Sequence, residues 1–526
     1  MNIPSLILSS FVIAHSAFAA QPNFIVILAD DMGYSDLGCY GSEIPTPNLD
    51  ALARGGMRLR SFYNAAQCCP TRASLMSGMY PHEAGVGDMI DPHSLAVRQA
   101  AASPRYSDRL DPRALTIAER LRPTGYQTYM TGKWHLGYND GERPLQRGFD
   151  RYYGIIAGAD SYWKPKTLRE GDTRIQPEQL PADFYATDAF TTKAIEFIAH
   201  GDRTKPFFLY LAYNAVHTPF HVPDSEIAKH KGNYDVGWDV IRKRRHARQK
   251  ELGLFPAEMK LPPREPQSQS WIGSDEQLKL AQRMEIYAAM LTKMDENIGR
   301  LTASLKQSGQ LENTLILFLS DNGAWAADGV YGQEWAETGN TPFRLFKLFT
   351  HEGGIGTSFI AHWPARIPAG TLNVKQYAHV KDILPTLLDA AAIKATPQAA
   401  LPMSGRSFLP ALLNASHADN EPLFWERMGN SAVRDGRWKL ARQFNANRTY
   451  VKDHPELSVG FGSRTGKWEL YDLDTDPHET HDLAANMSEK RDALVSMHEA
   501  WAKRVGVFDR SDIVERIGTQ IPKNSK

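Results

Sequence analysis

The sequence predicts an α/β protein: a large central, mostly parallel sheet flanked by helices, followed by a small carboxyl-terminal subdomain of antiparallel sheet and helix. Two observations carry this. Residues 23–28, 206–211 and 315–319 are nearly continuous apolar runs, the pattern of strands buried on both faces of a parallel sheet. Near the end of the chain, Trp438-Lys439-Leu440 and Trp468-Glu469-Leu470-Tyr471-Asp472-Leu473 alternate instead, as strands with one wet face do. The 526 residues suffice for one large domain and a smaller one. The expected division is a leader over residues 1–20, a main domain over 21–420 and a subdomain over 421–526, the boundary following the stretch 410–420.

Lys plus Arg and Asp plus Glu both number 60, so the formal net charge is zero. That argues against a strong global field for nucleic acid or an anionic membrane. Three cysteines, two of them adjacent, make no disulfide framework. Beyond the amino terminus nothing is long and apolar enough to span a bilayer. The first twenty residues are apolar through 6–13 and end in Ala17-Phe18-Ala19-Ala20, which fits a secretory signal with small residues at its cleavage site. They contain no Lys or Arg, and the other reading is a buried strand. Export to a periplasm or the medium is the expectation.

The first apolar run ends in Ala29-Asp30-Asp31-Met32-Gly33, and the run 315–319 ends in Ser320-Asp321-Asn322-Gly323. Adjacent carboxylates at a strand end are costly unless a cation joins them. The carboxyl edge of an α/β sheet is also where ligands sit. Either pair alone is compatible with an Asp-Gly type of turn. Together, Asp30, Asp31, Asp321 and Asn322 offer four hard oxygen ligands, which suit Ca²⁺ or Mg²⁺ and not a soft metal.

Between these runs lies Cys68-Cys69-Pro70-Thr71-Arg72-Ala73-Ser74-Leu75-Met76-Ser77-Gly78. Pro70 suits the first turn of a helix that Gly78 could end. Cys68 would then sit just ahead of the helix N-terminus with Arg72 one turn on, where unpaired N–H groups and the dipole favour an anion and lower a thiol's pKa. The alternative is a buried cysteine pair in a turn. Three cationic stretches follow: Thr131-Gly132-Lys133-Trp134-His135, Asn214-Ala215-Val216-His217, and Lys347 ahead of His351-Glu352-Gly353-Gly354. Lys133 and His135 alternate at strand spacing, so both can point to one face. Residues 234–266 are rich in Arg and Lys but interrupted by Asp235, Asp239 and Glu251, and are read as a solvated helical insertion. Helices are expected over 115–121, 275–307 and 487–505.

The Cys-x-Pro-x-Arg run with its Ser-Leu-Met-Ser-Gly continuation resembles the signature of the type I, formylglycine-dependent sulfatases of the alkaline-phosphatase superfamily. The stretches around Asp30, Lys133, His217, Asp321 and Lys347 fit the same family, and the run Thr341-Pro342-Phe343-Arg344 to Lys347 is most similar to bacterial arylsulfatases. The resemblance spans residues 23–505. It implies hydrolysis of aryl or carbohydrate sulfate monoesters, with Cys68 oxidised to formylglycine by a maturation enzyme. It implies one Ca²⁺ held by Asp30, Asp31, Asp321, Asn322 and residue 68, and Cys39 as a structural residue. It also implies roles: residue 68 as hydrated nucleophile assisted by Asp321; His217, with Lys347, as acid at the leaving oxygen; His135 as acceptor of the second hydroxyl's proton; Arg72 and Lys133 as groups that position and polarise the nucleophile. A phosphate-ester or phosphonate hydrolase of the superfamily, or a non-catalytic sulfated-glycan binder, are the competing readings. Trp163, Trp271, Trp325 and Trp335 could stack on a sugar or an aryl ring, or simply pack.

Overall fold

A computed structural model of the chain describes residues 21–91, 94–266, 268–326, 330–394, 400–413, 421–444, 466–513 and 516. The expected leader lies outside the described residues, as does 414–420, most of the expected boundary stretch. Fourteen strands are described: Asn23–Ala29 (β1), Met57–Tyr63 (β2), Gln127–Gly132 (β3), Arg151–Ile155 (β4), Leu168–Glu170 (β5), Thr173–Arg174 (β6), Phe207–Ala212 (β7), Thr314–Ser320 (β8), Gly356–His362 (β9), Thr371–His379 (β10), Leu423–Arg427 (β11), Asn430–Asp435 (β12), Trp438–Arg442 (β13) and Glu469–Asp472 (β14). The first ten form one sheet in the order β10-β2-β9-β8-β1-β7-β3-β4-β5-β6. Its centre, β8-β1-β7-β3-β4, is parallel throughout, while β9 runs antiparallel to both neighbours.

The apolar runs occupy this centre. β1 lies between β7 and β8, with Phe24 opposite both Phe208 and Leu315. Ile25 and Ile27 face one apolar core and Phe24, Val26 and Leu28 the other, which is why the run does not alternate. Helix Asp275–Gln307 covers the first face, as expected from the sequence. Ser274 caps it by accepting from the Gln277 N–H, and Asp275 and Glu276 lie in its first turn. Met284, Tyr287, Met290, Leu291, Met294, Ile298 and Leu301 form its buried stripe.

The alternating carboxyl-terminal segments form a separate antiparallel sheet, β11-β12-β13-β14. Helix Ser488–Val505 packs on it through Leu494, against Val433, Leu440 and Leu470. The two sheets meet at buried contacts. Trp425 donates from its indole to the Asn64 carbonyl at 2.8 Å. Lys439 is fully buried between Glu352 at 2.7 Å and Glu479 at 2.8 Å, and His351 contacts Glu469 at 2.9 Å. The His351-Glu352 stretch therefore serves this joint.

The charged insertion is a helix, Trp238–Glu251, but it is not simply solvated. Arg245 is fully buried; it pairs with Asp36 at 2.5 Å and Glu43 at 2.8 Å, carboxylates carried by the loop after β1. Arg242, also buried, donates to the Pro262 carbonyl at 2.8 Å. Local charge density marks the helix as wet, whereas the partners that bury it lie some 200 residues earlier. Arg245→Met would strand the buried Asp36 carboxylate with only Tyr287 and the Gly33 N–H as donors. Removing one member of a buried pair costs about 3–5 kcal/mol. The expected outcome is a clearly lowered denaturation midpoint, while the exposed neighbour Arg244→Ala stays within about 0.5 kcal/mol of the unsubstituted chain.

Candidate active site

The carboxyl ends of β1 and β8 lie side by side: the Asp321 N–H donates to the Ala29 carbonyl at 3.1 Å. The segment after β7 closes over them, the Asp30 N–H donating to Ala215 and the Val216 N–H to Asp30 at 2.9 and 2.8 Å. These backbone bonds bring Asp30, Asp31, Asp321, Asn322 and His217 to one sheet edge. Helix Cys68–Ser77 points its amino end at the same edge. Gln67 precedes it, Pro70 falls in its first turn, and Gly78 ends it in the left-handed region at φ 70°. Cys68 is thus the first helical residue and not the one before it.

Lys133 and His135 also reach the cluster, but not as strand neighbours. β3 stops at Gly132; the Lys133 N–H then bonds Ala212 and the His135 N–H bonds Ile156, with His135 at φ 52°. Both side chains are fully buried.

Charge pairing in the cluster is dense. Arg72 donates to Asp30 at 3.1 Å and Asp321 at 2.8 Å, and Lys133 donates to Asp30 at 2.5 Å. Lys347 and the Asn322 amide both donate to Asp31 Oδ1 at 2.6 Å. Burial would raise the Asp30 carboxyl, but Lys133, His217 and Arg72 outweigh it and hold it well below the usual carboxylate range. Asp321 goes the other way, pushed up to about 8 by burial and then by the neighbouring Asp30 charge. Burial also opposes the Cys68 thiolate, yet Lys133, His135 and Lys347 bring the thiol down to about 5. Cys69 is turned away into the core, its sulfur 3.4 Å from the Met89 sulfur, and burial pushes its thiol well up.

Three oxygens in this cluster are buried and have no hydrogen-bond partner among the described residues: Asp30 Oδ1, Asp31 Oδ2 and Asn322 Oδ1. Asp30, Asp31 and His217 each place a ligand atom within 4.8 Å of the others. Unpaired hard oxygens converging in a buried site fit a divalent cation with oxygen preference. Asp321 is more committed, with Oδ1 accepting from the Asp31 N–H at 3.3 Å and Oδ2 from Arg72. His217, at the rim, contacts the Thr218 carbonyl through Nδ1 at 2.6 Å and turns Nε2 toward Asp31 Oδ2 at 3.6 Å.

Sequence reasoning missed Asp91, which meets His135 Nε2 at 2.9 Å and accepts from the Tyr138 hydroxyl. It sits on a loop with no flanking pattern to flag it. Of the four tryptophans, Trp335 is fully buried, Trp271 packs edge-on against Trp238 and Trp163 packs on Tyr185. Trp325 alone of the four is at the site, its ring 5.1 Å from the Lys347 ammonium. With Asp31, Val216, Thr218, Phe220 and Tyr331 it lines a narrow cleft.

A buried cationic pocket, a reactive residue at a helix N-terminus and two imidazoles at the carboxyl edge of such a sheet suit the hydrolysis of a tetrahedral oxyanion ester. The sulfatase family pattern matches residues 22–393, and the pattern of the N-sulphoglucosamine sulphohydrolase carboxyl-terminal region matches 343–504. The chain belongs to the sulfatase family and is a sulfuric ester hydrolase. It is 35% identical to an arylsulfatase of Klebsiella aerogenes over 75% of this chain and 92% of that one. An uncharacterized sulfatase of Schizosaccharomyces pombe is 32% identical over 95% of this chain and 97% of its own length. Among solved structures, Ps i-CgsB in complex with k-i-k-neocarrahexaose superposes with a TM-score of 0.68 at 26% identity, covering 92% of this chain and 93% of that chain. Among the described residues no helix is long and apolar enough to cross a membrane.

Proposed function

We propose that this sulfatase is formylglycine- and calcium-dependent, with Cys68 as the modified residue. The observation that carries this is the cluster itself: a Cys68 thiol set among Lys133, His135 and Lys347, beside three unpaired buried oxygens. Asp30, Asp31, Asp321 and Asn322, with residue 68, would hold the Ca²⁺. The ion would supply positive charge that stabilises a nucleophilic oxygen and the sulfuryl oxygens. Formylglycine would supply a hydrated aldehyde as nucleophile.

The chain's own residues do the rest. Three carboxylates face Arg72, Lys133 and Lys347, so a divalent ion leaves the pocket with surplus positive charge for a sulfate monoester and a developing alkoxide. Arg72 and Lys133 bridge Asp30 to the helix that carries residue 68 and fix its direction. Asp321, as a carboxylate, would take a proton from that residue. Lys347 polarises the leaving oxygen. His217, its Nδ1–H held by the Thr218 carbonyl, presents Nε2 to protonate that oxygen. His135 accepts the proton that residue 68 gives up when sulfate departs. Residues 21–420 form the catalytic domain and 421–526 the subdomain that braces it, in an enzyme exported to a periplasm or the medium. The substrate is an aryl or carbohydrate sulfate, and parallel assays of aryl sulfate and aryl phosphate esters separate this reading from phosphate or phosphonate hydrolysis.

The two histidines can be told apart. A good leaving group needs little protonation, so loss of the acid is felt most with a poor one. His217→Ala is expected to slow alkyl or sugar sulfates by ~10²–10⁴-fold and nitrophenyl sulfate far less. His135→Ala is expected to slow both to the same limiting rate, because sulfate release no longer involves the leaving group. Equal leaving-group sensitivity in the two variants would overturn the assignment.

A further inference from the structure

We propose that Asp91 is the positioning residue of His135, and that the carboxyl-terminal region holds Asp91 in place through Asp88. The inference rests on the role given above to His135.

Asp91 Oδ2 lies 2.9 Å from His135 Nε2, and a carboxylate at that distance selects the imidazole tautomer with the proton on Nε2. The opposite nitrogen, Nδ1, is then a bare acceptor. It is buried and makes no conventional hydrogen bond among the described residues, and the imidazole lies against the Cys68 side chain. A proton leaving residue 68 passes to Nδ1, Nε2–H stays on Asp91, and Asp91 remains ionised beside the imidazolium until water removes the proton. The Tyr138 hydroxyl, donating to Asp91 Oδ1, keeps the carboxylate in this orientation.

The loop that carries Asp91 is fixed from outside the large sheet. Asp88 is 2% exposed and is bracketed by two buried guanidinium groups. Arg427, at the end of β11, donates to Asp88 Oδ1 at 2.7 Å, and Arg510, beyond helix Ser488–Val505, donates to Oδ2 at 3.0 Å. Arg427 also donates to the Gly87 carbonyl at 3.4 Å and to Gln67, the residue before Cys68. Arg98 completes the frame with bonds to the Met89 and Asp91 carbonyls at 2.8 and 2.9 Å. One pair of arginines thus locks the loops flanking both residue 68 and Asp91.

The test is a double-mutant cycle on the mature enzyme, read as kcat and KM over a series of aryl sulfates of graded leaving-group ability. Asp91→Asn preserves shape, but its amide can donate to Nε2 and drive the proton onto Nδ1. It is expected to lower kcat on the order of 10²-fold with KM nearly unchanged, and to flatten the leaving-group dependence as His135→Ala does. In a His135→Ala background Asp91→Asn should cost less than about 2-fold more. Arg510→Ala should lower kcat by about 5–10-fold, and that loss too should vanish in the His135→Ala background. Equal losses in both backgrounds, or a wild-type kcat for Asp91→Asn, would overturn the proposal. Full activity of His135→Ala itself would instead overturn the role of His135 on which it rests.

Discussion

Cys68→Ala is expected to lower turnover by ~10⁴-fold or more, while Cys69→Ala keeps most of it. The two thiols are adjacent in sequence and opposite in environment. Cys68 opens the helix and faces Lys133, His135 and Lys347, which outweigh the burial that would keep it protonated. Cys69 lies against Met89 and the Asp88 carbonyl in the core, where the Ile90 backbone and Arg427 do not outweigh burial. Losing its sulfur removes packing worth about 1 kcal/mol and touches no reacting group. Protein made without a maturation enzyme should keep a thiol at position 68, visible by mass spectrometry of that peptide, and be nearly inactive. Activity that follows Cys69 would overturn the register of the whole site.

Active protein is expected to carry one divalent ion per chain. Stripping it should lower kcat by ~10³-fold or more, since charge stabilisation by a bound cation is worth several kcal/mol. Asp30 Oδ1, Asp31 Oδ2 and Asn322 Oδ1 are the oxygens with unused lone pairs, so Asn322→Ala should weaken the ion's binding while leaving Arg72 and the lysines in their pairs. Calcium titration of the stripped enzyme measures this directly. Full activity in protein lacking a stoichiometric divalent ion would rule the metal out.

The central sheet was legible because burial on both faces leaves a simple trace, an unbroken apolar run, and the residue after each run is at the functional edge by geometry. That is how the placement of Asp30, Asp31, Asp321 and Asn322 at one sheet edge could be read from position alone, and the long helix from its length. Lys133 and His135 were found for a reason only half right, since the chain leaves β3 before reaching them. Arg245 and Asp91 were illegible for one common cause. Their character is set by partners distant in the chain, and a charged helix or a loop aspartate looks the same locally whether that partner exists or not. The order of the ten strands is likewise a property of pairing and not of any one strand.

β1 has a further consequence, in time. It is the first of the described strands, yet the Asn23 side chain bonds to β7 across 184 positions and to β8 across 291. Nothing flanks β1 on both sides until β8 has been synthesised, and closing loops of that span is slow. In the finished fold only 2% of Cys68 is exposed, so a modifying enzyme would need to reach it before that closure. On the proposed modification, conversion of Cys68 and closure of the sheet would be rivals. The fraction of active molecules would then be set by the ratio of two rates, and a variant that folds faster would gain protein and lose enzyme.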